Sequence, residues 1–240
     1  MSDPARAAVV RQAASIGVAT GAYGISFGAL AVAAGLTVPQ ACALSALMFT
    51  GGSQFAFVGV VGAGGGAAAA VATATLLGAR NGFYGLQMAT ILRPRGWRRL
   101  PTAHVTIDES TAVGTARASV RPDRPDLAHL GFWATAVAVF TLWNGATLAG
   151  ALIGNALGDP RRYGLDAAAA AAFLALLWPR LRDNRTRAVT LSAVLVASVL
   201  VPLLPPGAPV LAAAVVAVVA GWRTPPPPSP ADQAEPSGQT

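Results

Sequence analysis

The feature that most constrains this chain is a succession of long apolar runs separated by short patches of arginine. Candidate membrane-crossing segments lie at 13–36, 39–62, 66–92, 128–154, 164–180, 187–203 and 207–222. A helix needs about 20 apolar residues to cross a bilayer, and all but 164–180 and the last two reach that length comfortably. The chain is 54% hydrophobic and only 11% charged, where a soluble domain carries about 25% charge. Transmembrane strands would show alternating segments of roughly ten residues, and none occurs. The sequence therefore predicts an all-α polytopic membrane protein of about seven spans, one transmembrane domain over 1–222. Residues 1–12 and the run after them resemble a signal peptide. The run is longer than the usual h-region of about 7–15 residues, so a retained first span is expected.

The net charge is +7, and every basic residue is an arginine. On an apolar chain of this kind, arginine patches act as topology signals and headgroup contacts rather than nucleic-acid contacts. The bilayer is thus an expected partner and nucleic acid is not. Cys42 is the sole cysteine, so no disulfide framework exists. Gly17, Gly21, Gly24 and Gly28, with Ala29 and Ala33, give the first span the small-residue spacing that lets helices approach closely.

The segment 93–127 stands apart. Arg93, Arg95, Arg98 and Arg99 open it, and Arg117, Arg121 and Arg124 close it. Between them lies a mildly apolar stretch too short to span, so both clusters face one side and the middle is a surface helix or a re-entrant segment. Residues 223–240, with Pro225–Pro228, read as a disordered tail. Placing both clusters in the cytoplasm and counting seven spans puts twelve of the 17 Lys and Arg residues inside, four outside, and Arg80 within the membrane. The C-terminus is then cytoplasmic and the N-terminus extracytoplasmic. A second arrangement puts the N-terminus inside and makes 39–62 a re-entrant pair broken at Gly51-Gly52; the seven-span arrangement is the expected one. It sets spans one to three and four to six as inverted repeats, an architecture common in secondary carriers, whose solute site lies at the repeat interface.

Three motifs place polar groups at depth. Arg80 and Asn81 fall well inside 66–92. A guanidinium near the bilayer centre costs roughly 2.5–3.5 kcal/mol on insertion scales, so Arg80 is expected to face a wet cavity, a ligand or an acid such as Asp108, Glu109 or Asp166. A planar guanidinium can hold a carboxylate in two places, and Tyr84 lies one turn further on. Phe49-Thr50-Gly51-Gly52-Ser53-Gln54-Phe55 interrupts the second span. Two glycines weaken a helix by about 1 kcal/mol each, and a half-helix N-terminus favours a carboxylate. The competing reading of Gly51, Gly52, Ser53 and Gln54 is a close helix crossing. Thr106-Ile107-Asp108-Glu109-Ser110 holds adjacent acids suited to carrying protons or neutralising an ammonium, or simply solvated. Asn144, beside Trp143, is a further polar candidate. Asp166 reads equally as an acid complementing a helix N-terminus. No metal-ligand spacing, phosphate loop or ATPase motif occurs, and no cofactor is expected.

In their order and spacing these motifs resemble the AzlC family of branched-chain amino acid permeases. The resemblance runs over about residues 15–222. It rests on Phe27-Gly28-Ala-Leu-Ala, Ala34-Gly35-Leu36, the Phe49–Phe55 motif, Gly78-Ala79-Arg80-Asn81-Gly82-Phe83-Tyr84-Gly85, Asp108-Glu109, Trp143-Asn144 with Thr147–Gly150, and Gly164-Leu165-Asp166 with Phe173–Leu177. The family usually has Phe-Ala-Gly where this chain has Phe49-Thr50-Gly51, and Arg-His where it has Arg80-Asn81; asparagine cannot titrate. The resemblance implies a cytoplasmic-membrane exporter subunit for leucine, isoleucine, valine and methionine, working with a small multi-span partner of the AzlD type. Lacking a nucleotide site, such a carrier would draw on an ion gradient, with Asp108, Glu109 and Asp166 as the candidate coupling acids. The alternatives are a scaffold subunit, or an intramembrane enzyme using Ser53, which would need a base within reach.

Overall fold

The computed structural model describes residues 3–157, 174 and 177–222. Among these the regular structure is helical throughout, without a strand. The chain divides into two compact units, Met1–Pro179 and Arg180–Thr240.

Two helices of the first unit are long and apolar enough to cross a membrane: α1 (Pro4–Ala33) and α7 (Pro125–Leu157). At 1.5 Å per residue they extend about 45 and 50 Å. They form the most extensive helix pair in the fold, and they run parallel. Gly17 faces Ala138, Gly21 faces Leu142, Gly24 faces Trp143 and Ala146, Gly28 faces Thr147 and Ala151, and Gly154 faces Ala29. The small residues of α1 thus meet the backbone of α7 turn by turn. A Cβ on Gly28 would penetrate the Thr147 carbonyl, and one on Gly150 the Ile25 carbonyl. Where lipid tails are as apolar as leucine, such van der Waals contact is what holds helices together. Ion pairs fix the register at the shared N-terminal end. Arg124 binds Asp3 at 2.7 Å and Asp126 at 2.9 Å, and Arg6 binds Asp126 at 3.2 Å. The Arg124 guanidinium holds the Asp3 carboxyl below its ordinary pKa.

The run expected as one span over 39–62 is two helices, α2 (Val38–Leu47) and α3 (Gly51–Gly62). Thr37 caps α2 through a reciprocal pair with Gln40, and Pro39 sits in its first turn. Met48–Thr50 break the path, with Thr50 extended at φ −159°. The last turn of α3 returns to the end of α1, with Gly62 against Ala34. α2 and α3 are therefore a hairpin that starts and finishes at the far end of α1. Gly35 and Gly64, both at positive φ, close the flanking helices there, as the left-handed residue of a helix C-terminus requires.

α4 (Ala67–Leu92) then runs back. Met88 and Leu92 pack with Phe132 near the start of α7. Arg93 ends α4 in the left-handed region, at φ 46°. A short 3-10 turn (Gly96–Arg98) leads into α5 (Arg99–His104), and α6 (Asp108–Val120) follows. Ile107, between α5 and α6, joins the apolar cluster of Phe27, Phe49, Val139 and Trp143, whereas Arg117 reaches Gln12. α5 and α6 are thus a second hairpin, entering from the near end. The middle of 93–127 thus turns back inside the unit at Ile107.

This geometry corrects two expectations. The N-terminus and the 93–127 arginine clusters lie at one end of the unit, so they cannot face opposite sides of a membrane, as the seven-span arrangement required. The reason is the turn at Met48–Thr50, which sends 39–62 back to the end it came from. The inversion expected between spans one to three and four to six is also not present as drawn, because α1 and α7 run parallel. The two opposed elements are instead α1 with its hairpin and α4 with its hairpin.

The second unit holds α8 (Asn184–Leu200), capped by Asp183 through the Thr186 N–H and hydroxyl, and α9 (Ala208–Trp222). Arg185 Nη2 donates to the Ala220 carbonyl at 3.4 Å, so α8 and α9 are antiparallel. The 164–180 segment lies mostly outside the described residues, and 223–240 entirely so.

Two outcomes follow from this fold. In a Cys42→Ala background, Ala7→Cys and Ser119→Cys should label from the same side of the membrane and Gly66→Cys from the other; labelling of Ala7→Cys and Ser119→Cys from opposite sides would overturn the hairpin. Gly28→Ala should lower stability by about 1–3 kcal/mol or more, the usual range for overpacking, measured as a loss of thermal midpoint in detergent. Gly66→Ala, where nothing lies within 4 Å, should be nearly silent.

Candidate functional site

The tips of the two hairpins approach each other inside the first unit. Phe49 of the first tip is in ring contact with His104 at 6.2 Å and with Phe140 at 5.0 Å. Hairpin tips leave helix ends in an apolar interior, where each unpaired backbone group is costly. At the first tip, Gln54 Nε2 donates to the carbonyls of Leu44 at 3.4 Å and Ser45 at 3.0 Å, the C-terminal carbonyls of α2. Ser45 Oγ bonds Thr147 Oγ1 on α7 at 3.2 Å. At the second tip, Ser110 Oγ accepts from the Ile107 N–H at 3.1 Å and donates to the Val105 carbonyl at 2.8 Å. Thr106 and Thr102 hydroxyls donate to carbonyls one turn back.

The N-terminus of α3 is left open. Thr50 stands at the N-cap without a side-chain cap bond, so the first N–H groups of the helix have no partner from it. The glycines here serve approach. Gly51 lies beneath the Trp143 ring, where a Cβ would stand 3.5 Å from the indole edge. A Cβ on Gly52 would stand 3.1 Å from Arg80 Nη2. The chain path breaks before the glycines, at Met48–Thr50, rather than at them.

Arg80 therefore stands between the two tips. Its Nη2 lies against Gly52 of the first and 3.2 Å from Asp108 Oδ2 of the second. The Arg80 and Asp108 side chains are 42% and 43% exposed, so the pair is half-open. Among the described residues, Ser53 Oγ, Gln54 Oε1, Arg80 Nε, Asp108 Oδ1 and Trp143 Nε1 are buried with no hydrogen-bond partner, as are Asn81 Oδ1 and the hydroxyls of Thr73, Thr111, Thr115 and Thr135. Leaving such a group unmade costs about 1–3 kcal/mol. Ser53 and Gln54 stand in the first turn of α3, with Arg80 beside Gly52. Phe27, Phe55 and Trp143 form the adjacent wall, with Phe27 stacked on Trp143 at 5.9 Å and edge-on to Phe55 at 5.5 Å. Among the described residues no group of His, Cys, Asp and Glu could hold a metal.

Of the residues singled out in the sequence, Gly51, Gly52, Ser53, Gln54, Arg80 and Asp108 gather here, and Asn81 follows Arg80 on α4. Glu109 follows Asp108 in the first turn of α6. Tyr84 is half-buried one turn beyond Arg80 on α4. Asn144 sits differently: its Nδ2 donates to the Phe140 carbonyl in its own helix at 2.8 Å. Asp166 lies outside the described residues. Trp143, adjacent to Asn144, is the side chain that meets the first tip. The Ser45–Thr147 bridge carries no sequence signal, because neither residue stands out in an Ala/Gly-rich run.

One arginine thus stands between two hairpin tips in a half-open helical interior. The AzlC family model ("AzlC protein") matches residues 15–157, more than half of the chain, and the chain belongs to that family. The match stops short of the 15–222 over which the motifs resemble the family. Membership makes the chain a membrane-associated protein connected with branched-chain amino acid transport, of a family that functions with a small membrane partner. No curated protein and no solved structure matches it.

A half-open ion pair contributes at most about 1 kcal/mol, which is about 2–4 °C for a chain of this size. Arg80→Ala should therefore insert and melt within that margin of the unsubstituted protein, and adding Asp108→Asn should change little more. A much larger fall, reversed by Asp108→Asn, would show the pair to be a structural one.

Proposed function

We propose that the chain is the large subunit of a secondary exporter of leucine, isoleucine, valine and methionine, acting with a small multi-span AzlD-type subunit in the cytoplasmic membrane. The observation that carries this reading is Arg80, shared between the α3 N-terminus and Asp108.

A zwitterionic amino acid offers the chemistry that the site asks for. Its carboxylate fits the open N–H groups of Gly51, Gly52 and Ser53, where the helix end carries positive partial charge, and the fork of Arg80. Binding there displaces Asp108 from Arg80. The released carboxylate, with Glu109 next to it, receives the ammonium group or takes a proton from the medium. Ammonium and proton thereby compete for one carboxylate, so that outward-moving substrate exchanges for an inward-moving proton. The aliphatic side chain takes apolar surface beside the pair, where Phe27, Phe55 and Trp143 pack against one another in the unliganded chain. Asn81 serves as a hydrogen-bonding group and not as a proton carrier.

The orientation follows from charge. With the end that bears Arg6, Arg11 and both clusters of 93–127 in the cytoplasm, the arginine bias agrees with the positive-inside rule, and the N-terminus is cytoplasmic.

The test is efflux. Cells loaded with leucine- or valine-containing dipeptides should release the free amino acid faster when the chain and its small partner are expressed together, and unchanged release would overturn the reading. Arg80→Ala and Arg80→Lys should both abolish most of that release, because lysine keeps the charge and loses the two-point grip. Export by the purified chain alone in vesicles, at the rate of the pair, would remove the partner from the mechanism.

A further inference from the structure

At the near end of the first unit lies a cavity of about 490 Å³ between the end of α4, the α4–α5 turn and the first turns of α7. Arg93, Arg95 and Arg98 line it together with Trp97, His129 and Trp133. No acidic residue does.

The arginines of this end differ in their partners: Arg99 bonds the Pro94 carbonyl and Arg117 bonds Gln12. Arg6, Arg121 and Arg124 are each paired with an aspartate, at 3.2, 3.0 and 2.7 Å respectively. In the cavity Arg93 spends its Nε on the Thr90 carbonyl at 3.3 Å, where a cation at a helix C-terminus is favoured. Arg95 and Arg98 have no ion pair and no side-chain hydrogen bond among the described residues, and Arg98 lies over the Trp97 ring at 6.0 Å. Positive-inside placement explains the sign of these charges. It does not explain why two guanidiniums without counter-ions converge on one pocket that no acidic residue lines. Trp97 and Trp133 are 75% and 36% exposed, and tryptophan at such a level marks the headgroup zone of a bilayer. Leu92, Pro94 and Pro101 supply an apolar floor.

We infer that this cavity binds the phosphodiester headgroup of an anionic phospholipid from the cytoplasmic leaflet. Arg95 and Arg98 grip the phosphate, the indoles flank the glycerol region, and the apolar floor takes the start of an acyl chain. Basic pockets between helices on the cytoplasmic side are suited to such headgroups. The lipid also fastens the α4–α5 turn, which leads directly into the hairpin ending at Asp108.

Native mass spectrometry of the purified full chain tests this, with phosphatidylglycerol, cardiolipin and phosphatidylcholine offered in turn. The anionic lipids should be retained and phosphatidylcholine should not. Arg95→Gln with Arg98→Gln should weaken retention about 25-fold, at about fivefold per arginine near the surface. Arg121→Gln, which breaks a paired arginine, should leave it unchanged. Trp133→Leu, which keeps every charge, should weaken it several-fold. Equal retention by the double variant, or equal retention of phosphatidylcholine, overturns the site. Stabilisation by millimolar inorganic phosphate equal to that by the lipid shows a site for a free anion and overturns the lipid assignment. A synthetic acidic peptide that outcompetes the lipid does the same in favour of a protein partner.

Discussion

The architecture depends on the parallel contact between α1 and α7. Glycine at 17, 21, 24 and 28 lets α1 lie against the backbone and Cβ atoms of α7, and Gly150 and Gly154 reciprocate from α7. Once two long helices lie parallel at this distance, their N-termini share an end. The chain between them must then leave that end once and return to it once. α4 supplies the return. Everything else in the interval has to begin and finish at the same end, which is what a re-entrant hairpin does. The Asp3–Arg124–Asp126–Arg6 group locks the register where the two helices begin.

Hairpins that end inside an apolar interior carry a specific debt of unpaired backbone groups. The structure settles much of it with side chains close in sequence: Gln54 for the end of α2, and Ser110, Thr106 and Thr102 for the second tip. The N-terminus of α3 is the exception, because Thr50 does not cap it. That open end, the arginine beside it and the orphaned polar atoms around it form one feature. The reading of the site as a receiver of a carboxylate rests on that coincidence rather than on any single residue.

Charge is divided by the same logic. In the interior Arg80 answers to Asp108, and the two can part because both are half-open. At the near end, paired arginines hold helices together, whereas Arg95 and Arg98 are left for something outside the chain. The two sites are linked by α5 and the tip that follows it, so an event at the bilayer surface and an event at Arg80 bear on the same short segment.

Much of this was legible in the sequence. Apolar runs fixed the helical class, since no other pattern explains 54% hydrophobic residues with 11% charged. The depth of Arg80 and Asn81 followed from their place in a 26-residue helix, and the order of the motifs identified the family. The pairing of Arg80 with Asp108 was one of three open choices. What the sequence left open was direction, with a re-entrant 39–62 as the second arrangement. Ten and twelve apolar residues around a short break have the same hydropathy as one span of 24, so 39–62 read as a crossing when it is a hairpin. The difference lies in whether the carbonyls at the break find partners and whether the last turn meets Ala34, and those are distances in space. The position of the N-terminus was decided there too, because the glycines announced that α1 packs closely but only the fold chose α7, running parallel, as the helix it packs against.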